Sequence, residues 1–217
     1  MALAIFDLDN TLIGGDSDNL WGQFVVSEGL VDGPEFARQN EQFYEDYKAG
    51  QLDIMAYLRF ALGPLKGQPL DRLANWHAKF MREVIEPIML PKAVALIERH
   101  RAAGDHLLVI TATNHFITRP IVTALGIDDL LACNAEMKDG LYTGEPEGIP
   151  SYHAGKVTRL EAWLAETGHN LTGAWFYSDS HNDLPLLEIV DNPVAVDPDP
   201  KLQAHAEANN WPVVSLR

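Results

Sequence analysis

The sequence predicts an α/β fold with a Rossmann-like, doubly wound parallel sheet, an inserted helical cap domain after the first strand, and a small β-hairpin. Three observations lead to this prediction. Short apolar runs recur along the chain, helical patterns alternate with them from residue 90 onward, and residues 16–88 contain no convincing strand. A chain of 217 residues has room for one large domain with an insertion. We therefore expect residues 1–15 and 89–217 to form the core, and residues 16–88 to form the cap.

The predicted elements of the core follow one another in a regular order. The strands are apolar runs of the length of a buried strand: Ala2–Phe6, Leu107–Thr111, Leu130–Cys133, Ala174–Ser178, Pro193–Val196 and Pro212–Leu216. Three helices are each followed by a terminating glycine, and these glycines are Gly104, Gly126 and Gly168. Asp139-Gly140, between extended flanks, predicts the hairpin.

The segment 16–88 shows helical rather than strand patterning. Apolar residues recur there at three- and four-residue spacing, as in Leu52, Met55, Leu58 and Ala61. Ten of the 19 aromatic residues of the chain lie in this segment. They can form the core of the inserted helices, or some of them can face a ligand.

Composition excludes several function classes. The chain has 31 acidic and 16 basic residues and a net charge of −15, which disfavours binding to nucleic acid or to anionic membranes. Cys133 is the single cysteine, so neither an intrachain disulfide nor a cysteine-based zinc site can form. No apolar stretch reaches the ~18 residues of a membrane span, and the N-terminus lacks the features of a signal peptide. We expect a cytoplasmic protein; the sequence does not indicate its oligomeric state.

The strongest chemical signal is a pair of aspartates in the stretch IFDLDNTL, residues 5–12. Residues i and i+2 of a strand point the same way, so Asp7 and Asp9 are expected to converge. They follow a predicted strand, and ligands of open parallel sheets bind at the carboxyl ends of the strands. Two like charges buried together require a compensating cation or proton. The pair therefore suggests a metal site.

A second acidic pair lies in the stretch SDSHND, residues 178–183, after another predicted strand. If the two strands are parallel neighbours, Asp179 and Asp183 join the first pair at one edge of the sheet. Hard oxygen ligands of this kind suit Mg²⁺. Either pair alone is also explained by an Asx turn or a helix cap.

Two further positions could hold a phosphate group. Thr111 ends a predicted strand before a predicted helix, so its hydroxyl and nearby backbone amides could bind phosphoryl oxygens. Lys156 brings an ammonium near the start of another predicted helix. Alone, a strand-end threonine and a solvated helix lysine are both common. The lysine does not belong to a P-loop, because Val157 stands where that motif requires Ser or Thr.

Taken in order, these motifs resemble those of the haloacid dehalogenase superfamily of phosphohydrolases. Asp-x-Asp-x-Thr, a strand-end Thr, a Lys and an acidic pair occur in sequence between Asp7 and Asp183. The insertion after the first motif resembles the cap of the phosphoserine phosphatase-like branch. The stretch SDSHND resembles a group within that branch that includes histidinol-phosphate phosphatases. The resemblance implies an enzyme, a phosphoric monoester hydrolase that acts on a small phosphate ester.

The resemblance also implies the roles of the acidic residues. Asp7 would be the nucleophile that forms an aspartyl-phosphate, and Asp9 would protonate the leaving alcohol and then activate water. Mg²⁺ would be held by the Asp7 carboxylate, the Asp9 backbone carbonyl and the Asp179 carboxylate. Asn182 and Asp183 would orient the waters of the metal.

By the same resemblance, Thr111 and Lys156 are expected to neutralise the phosphoryl oxygens of the substrate. Ala112 and Asn182 are also expected to bind the substrate. Two histidines near these motifs, His115 and His181, have no assigned role.

The resemblance assigns the reading of the substrate to the cap. Asp16 stands where phosphoserine phosphatases carry a Glu that contacts the substrate ammonium, and Arg59 is the candidate for an Arg that contacts its carboxylate. In a plainer interpretation, Asp16 caps a helix that begins near Asp18, and Arg59 lies in solvent. The shorter acid and the aromatic-rich cap favour histidinol phosphate, which carries an ammonium and an imidazole but no carboxylate. The expected function is thus a step of histidine biosynthesis, with phosphoserine as the alternative substrate.

Other classes fit the residues less well. A phosphotransferase or phosphomutase would pass the aspartyl-phosphate to an acceptor other than water. A receiver-like phosphoacceptor is disfavoured because the acceptor-like Asp7 lies on the first strand and a large insertion follows. A dehalogenase needs neither an acid at position 9 nor a Mg²⁺ cluster.

Overall fold

A seven-stranded sheet forms the centre of the computed structural model, which describes residues 2–217. Its strands are β1 (Leu3–Phe6), β2 (His106–Asn114), β3 (Asp129–Lys138), β4 (Leu141–Glu147), β5 (Trp175–Ser178), β6 (Asn192–Val196) and β7 (Val213–Val214). They lie in the order β4-β3-β2-β1-β5-β6-β7. The β3–β4 pair is antiparallel, and the other neighbouring pairs are parallel.

Helices connect the strands and cover the sheet. They are α1 (Ser17–Ser27), α2 (Gly33–Ala49), α3 (Ile54–Leu62), α4 (Leu70–Phe80), α5 (Pro91–Ala103), α6 (His115–Ala124), α7 (Ala154–Thr167), α8 (Leu184–Leu187) and α9 (Pro200–Ala208). Glycines in the left-handed conformation end α5 and α7, with φ of 80° at Gly104 and 76° at Gly168. A residue with a Cβ is disfavoured there, so these glycines were reliable boundaries in the sequence.

The predicted fold class is confirmed, and the differences are local. The strand predicted to end at Thr111 continues to Asn114, whose side chain then caps α6 by accepting a hydrogen bond from the Ile117 amide at 3.2 Å. The hairpin turns at Asp139 and Gly140, with φ of 52° and 77°, values that suit the tight turn of a two-residue hairpin. The first strand of the hairpin is the later part of β3, because β3 pairs first with β2 and then with β4.

Two apolar clusters lie on the two faces of the sheet. Alternation along β1 divides its side chains between them: Ala4 and Phe6 join one cluster, and Leu3 and Ile5 join the other. The first cluster continues into the inserted helices α1 and α4, where Trp21 packs against several aromatic rings. Residues 16–88 thus hold helices that share a core with the sheet, and their role as a separate cap stays a prediction. No helix within residues 2–217 is long and apolar enough to cross a membrane.

Candidate active site

The two predicted acidic motifs meet at the carboxyl ends of β1 and β5, which are neighbours in the sheet. The Asp7 amide donates to the Tyr177 carbonyl at 2.9 Å, which extends the pairing of the strands by one residue. The Thr11 hydroxyl oxygen lies 3.5 Å from Asp7 Oδ2 and 3.3 Å from Asp179 Oδ1. It also accepts a hydrogen bond from the Asp179 amide at 3.1 Å. One threonine of the first motif therefore brings the two carboxylates together.

Lys156 is the cation at the centre of this cluster. Its side chain is only 2% exposed, and its Nζ donates to Asp7 Oδ1 and to Asp183 Oδ2, both at 2.8 Å. Ser178 Oγ adds a hydrogen bond to Asp183 Oδ2 at 2.7 Å. Burial by itself lowers the pKa of Lys156, but the charges of Asp183 and Asp7 outweigh it and raise this pKa above its ordinary value. The lysine is therefore a charged part of the cluster and not a solvated helix residue.

The turn before α7 positions this lysine. Gly155 precedes it, and a Cβ at residue 155 would lie 2.1 Å from the Pro150 carbonyl oxygen. Only glycine permits so close an approach of the two backbone segments. The close packing places Lys156 in the first turn of the helix, facing the end of β1.

The acids outnumber this lysine, and burial together with their mutual repulsion raises the pKa of Asp7 and of Asp179. Burial raises the pKa of Asp7 to about 7, while Lys156 opposes this effect and Asp183 adds to it. Burial, followed by the charges of Asp7 and Asp183, raises the pKa of Asp179 well above its ordinary value. A second cation, or protons, would relieve this repulsion.

The donor set fits Mg²⁺ in its usual form. Within residues 2–217, no three His, Cys, Asp or Glu side chains converge closely enough to hold a metal by themselves. Mg²⁺, however, takes one or two protein carboxylates and completes its shell with water and phosphate oxygens. Asp7 and Asp179 supply two such carboxylates. Asp183 Oδ2 accepts hydrogen bonds from Lys156 and Ser178, so this oxygen is already engaged within the protein.

Asp9 lies on the other side of the first motif. Its Oδ1 accepts a hydrogen bond from the Ser17 amide at 2.7 Å, at the start of α1. Its Oδ2 accepts one from Thr113 Oγ1 at 2.8 Å, with Thr111 Oγ1 at 3.4 Å. The structure thus brings Asp9 and Thr111 together. Thr113 is a partner that the sequence did not single out, because its position two residues after Thr111 on one strand carries no signal of its own.

A cavity adjoins Asp7 and Asp9, and we call it the acidic cavity. Its walls come from the first turn of α1, from α2 and α3 with the segment between them, and from Thr111–Thr113 of β2. Its aromatic members are Phe43, Tyr44, Tyr47 and Tyr57. The inserted helices therefore form much of its surface, and some of their aromatic residues face it instead of forming a core.

The two residues predicted to read the substrate are placed differently. Asp16 lines the acidic cavity and also caps α1, since its Oδ1 accepts a hydrogen bond from the Asn19 amide at 2.8 Å. Burial and then the charge of Asp9 raise its pKa. Arg59 points elsewhere: its side chain is 53% exposed, and its Nε donates to Glu145 Oε2 at 2.8 Å. The structure does not bring Arg59 to the cavity.

Two further predicted site residues, Ala112 and Asn182, lie near the cluster. Ala112 lines the acidic cavity. Asn182 is buried, and its Nδ2 donates to the Tyr47 carbonyl at the end of α2, at 3.1 Å. His181 pairs with Asp199 at 2.7 Å, and His115 lines a groove between α4 and α6 on another part of the surface.

Asp18 and Asn19 also line the acidic cavity, and neither was predicted to be a site residue. A weak signal was present. Residues 16–19 form the polar run DSDN directly before the apolar residues of α1, and a polar run of this kind is common at the start of a helix.

The fold and the acids gathered around one lysine define the class of this protein, the phosphatases that hydrolyse phosphate monoesters. The chain belongs to the haloacid dehalogenase-like hydrolase family, whose model matches residues 4–188. The family predicted from the four motifs is thereby confirmed.

Individual relatives agree with this assignment. The chain is 48% identical to a histidinol-phosphatase of Neisseria meningitidis serogroup C (strain 8013), over 99% of each chain. A solved structure of a protein of unknown function from Bordetella pertussis Tohama I is 44% identical, covers 100% of this chain and 99% of its own, and superposes with a TM-score of 0.94. A phosphoserine phosphatase solved as a phospho-aspartyl intermediate analogue, 19% identical, shares the fold with a TM-score of 0.71, over 100% of this chain and 93% of its own.

Removing the central cation tests the cluster. We expect Lys156→Ala to lower kcat by on the order of 100-fold or more, because it removes a preorganised positive charge beside the reacting group. Steady-state phosphate release from a phosphate monoester measures the effect.

Lys138→Ala is the matched control, since that lysine is 69% exposed and pairs with Glu136 on the hairpin. Its kcat should stay within twofold of the unaltered enzyme. Equal rates for both variants would show that Lys156 has no part in turnover.

Proposed function

We propose that this enzyme hydrolyses histidinol phosphate in histidine biosynthesis, in the cytoplasm, with Mg²⁺ and through an aspartyl-phosphate. One observation carries the choice of substrate: acidic and aromatic side chains line the acidic cavity, and none of its lining residues within 2–217 is basic. An ammonium and an imidazole suit such walls. The carboxylate of phosphoserine would meet like charges without a counterion. The 48% identical relative, a histidinol-phosphatase, supports the same choice.

In the proposed reaction, the Asp7 carboxylate attacks phosphorus and forms an acyl phosphate while the ester oxygen leaves. Asp9 gives its proton to that oxygen, which departs as the alcohol. Asp9 then takes a proton from water, whose oxygen attacks the phosphorus and releases inorganic phosphate and Asp7. Lys156 and the Thr111 hydroxyl stabilise the phosphoryl oxygens through both steps.

The metal belongs to this proposal because an anionic nucleophile must approach an anionic ester. Asp7, Asp179 and the Asp9 backbone carbonyl would hold Mg²⁺, and Asp183 and Asn182 would orient its waters. When bound, the ion would reduce the repulsion between the Asp7 carboxylate and the phosphate oxygens.

Residues 16–88 would act as the cap over this site, formed against the core of residues 1–15 and 89–217. Their helices supply the aromatic wall of the acidic cavity, and Asn182 of the core donates to the last turn of α2. A closed cap of this kind excludes water from the acyl phosphate until the alcohol has left. It also limits the substrate to a small molecule.

The choice of substrate is tested by comparing two esters. We expect kcat/KM for histidinol phosphate to exceed that for phosphoserine by at least about 100-fold, because a buried site discriminates strongly against a group that it leaves unpaired. Phosphate release with Mg²⁺ present gives both values. A preference for phosphoserine would make the second candidate the substrate.

The nucleophile is tested with Asp7→Asn. The amide has no negative oxygen to attack phosphorus, so turnover should fall below about 1% of the unaltered rate while the melting temperature shows an intact fold. Acid quenching of the unaltered enzyme with labelled ester should trap phosphate on the protein, and the variant should trap none. Turnover above that level would assign the attack to another group.

The metal is tested by its removal. Excess EDTA should abolish phosphate release, and added Mg²⁺ should restore it, because Lys156 alone does not balance the acids around it. NaCl at the same ionic strength is the control. Full activity in excess EDTA would contradict the Mg²⁺ requirement.

A further inference from the structure

Asp18 is a buried acid of the acidic cavity that the proposed mechanism does not use. It is 5% exposed and lies in the first turn of α1. Within residues 2–217, neither of its carboxylate oxygens completes a hydrogen bond, although the Tyr57 hydroxyl lies near enough to oppose part of the rise in its pKa. An isolated buried carboxylate is strongly unfavourable unless it is protonated or matched by a donor. A carboxylate left in this state beside a substrate site is available for a ligand.

Asn19 provides an independent observation of the same kind. It is 7% exposed, and its Oδ1 accepts a hydrogen bond from Gln23 Nε2 at 2.7 Å. This contact holds the amide oxygen against Gln23, so the amide nitrogen Nδ2 is not the atom that contacts Gln23. Nδ2 is buried and has no hydrogen-bond partner within residues 2–217. The first turn of α1 therefore offers the acidic cavity one unpartnered acceptor group and one unpartnered donor group.

We propose that Asp18 is a specificity-determining residue that binds the imidazole ring of the substrate, with Asn19 as its partner. The inference rests on the proposed function. A neutral imidazole carries one N–H donor and one bare nitrogen acceptor. Asp18 accepts from the N–H, and Asn19 Nδ2 donates to the bare nitrogen. Asp16 remains available for the ammonium, so the two nitrogen groups of the substrate each meet a different acid.

The aromatic wall suits a planar ring at this place. Tyr57 of α3 borders the cavity and is close enough to Asp18 to affect its ionisation. Phe43 of α2 packs against Tyr57 edge to face, with ring centroids 5.3 Å apart. Flat side chains held in this way form a surface on which a five-membered ring can pack. An ester with an ammonium but no ring would leave Asp18 and Asn19 unpartnered.

The experiment compares two substrates that differ in the ring. Histidinol phosphate carries both nitrogen groups, and phosphoethanolamine carries the ammonium alone. We expect Asp18→Leu to lower the ratio of their kcat/KM values by tenfold or more, because leucine keeps the approximate shape but accepts no hydrogen bond. Asp18→Asn should give an intermediate ratio, since its amide oxygen still accepts.

Asp71→Leu is the matched control, because Asp71 lies in the first turn of α4 on the surface and outside the cavity. Its ratio should stay within twofold of the unaltered enzyme. A ratio within twofold in Asp18→Leu overturns the inference when the unaltered enzyme prefers histidinol phosphate. Poor hydrolysis of histidinol phosphate by the unaltered enzyme overturns the proposed function itself. The variant therefore tests the inference, and the unaltered enzyme tests the proposed function.

Thermal unfolding without substrate separates a ligand role from a structural role. Burial raises the pKa of Asp18 to about 7, the Tyr57 hydroxyl opposes this in part, and Asp9 adds to it. The folded state then binds the proton more tightly than the unfolded chain, so this group makes stability fall as pH rises from about 4 to about 7. Asp9, Asp16 and Tyr57 face Asp18 and are present in every variant.

At pH 7, both Asp18 variants should therefore melt at the same temperature as the unaltered protein or at a higher one. Between pH 4 and pH 7, their melting temperatures should fall less than that of the unaltered protein. A melting temperature lowered by several degrees in both variants would identify a structural residue and overturn the inference.

Discussion

The ion pairs of Lys156 with Asp7 and Asp183 are the constraint on which the site depends. They join the start of α7 to the ends of β1 and β5, and the three side chains are almost fully buried. Burying three charges is tolerated because each carboxylate faces the ammonium and has further hydrogen-bond donors. Burial, and then the charges of Asp7 and Asp183, raise the pKa of Asp179, and Lys156 opposes this only in part. A further cation, or protons on these acids, would relieve the repulsion.

In the proposed mechanism, the loop that carries Asp7 and Asp9 also leads into the wall that would select the substrate. Asp9 accepts from the Ser17 amide, so the acid of the first motif also fixes where α1 starts. Asp16 caps that helix, and the first turn then lines the acidic cavity. The proposed chemistry and the proposed recognition therefore both depend on one short stretch, residues 7–19. A shift of α1 would displace both together, so we expect the insertion at this point to affect specificity.

Much of this was predictable from sequence, because it rests on local patterns. Apolar runs predicted the strands, glycines predicted the ends of α5 and α7, and two acidic motifs that each follow an apolar run were predicted to meet at one edge of the sheet, as β1 and β5 do. What escaped prediction depends on distant partners. Arg59 faces Glu145 because α3 packs beside the hairpin, and no spacing encodes that contact. The lack of a hydrogen-bond partner for Asp18 likewise depends on residues of other elements that surround it. The polar run DSDN is equally typical of an ordinary helix start.

The acids of the cavity illustrate how recognition can be prepared during folding. Asp16 and Asp18 lose much of their hydration when the apolar clusters form, so this cost is already met before substrate arrives. A donor that enters the cavity then gains an interaction strengthened by the low local dielectric and needs little rearrangement of the protein. A carboxylate entering the same space meets repulsion strengthened by the same factor. On the proposed function, desolvated acids without counterions would therefore favour nitrogen groups and reject amino-acid carboxylates through a single arrangement.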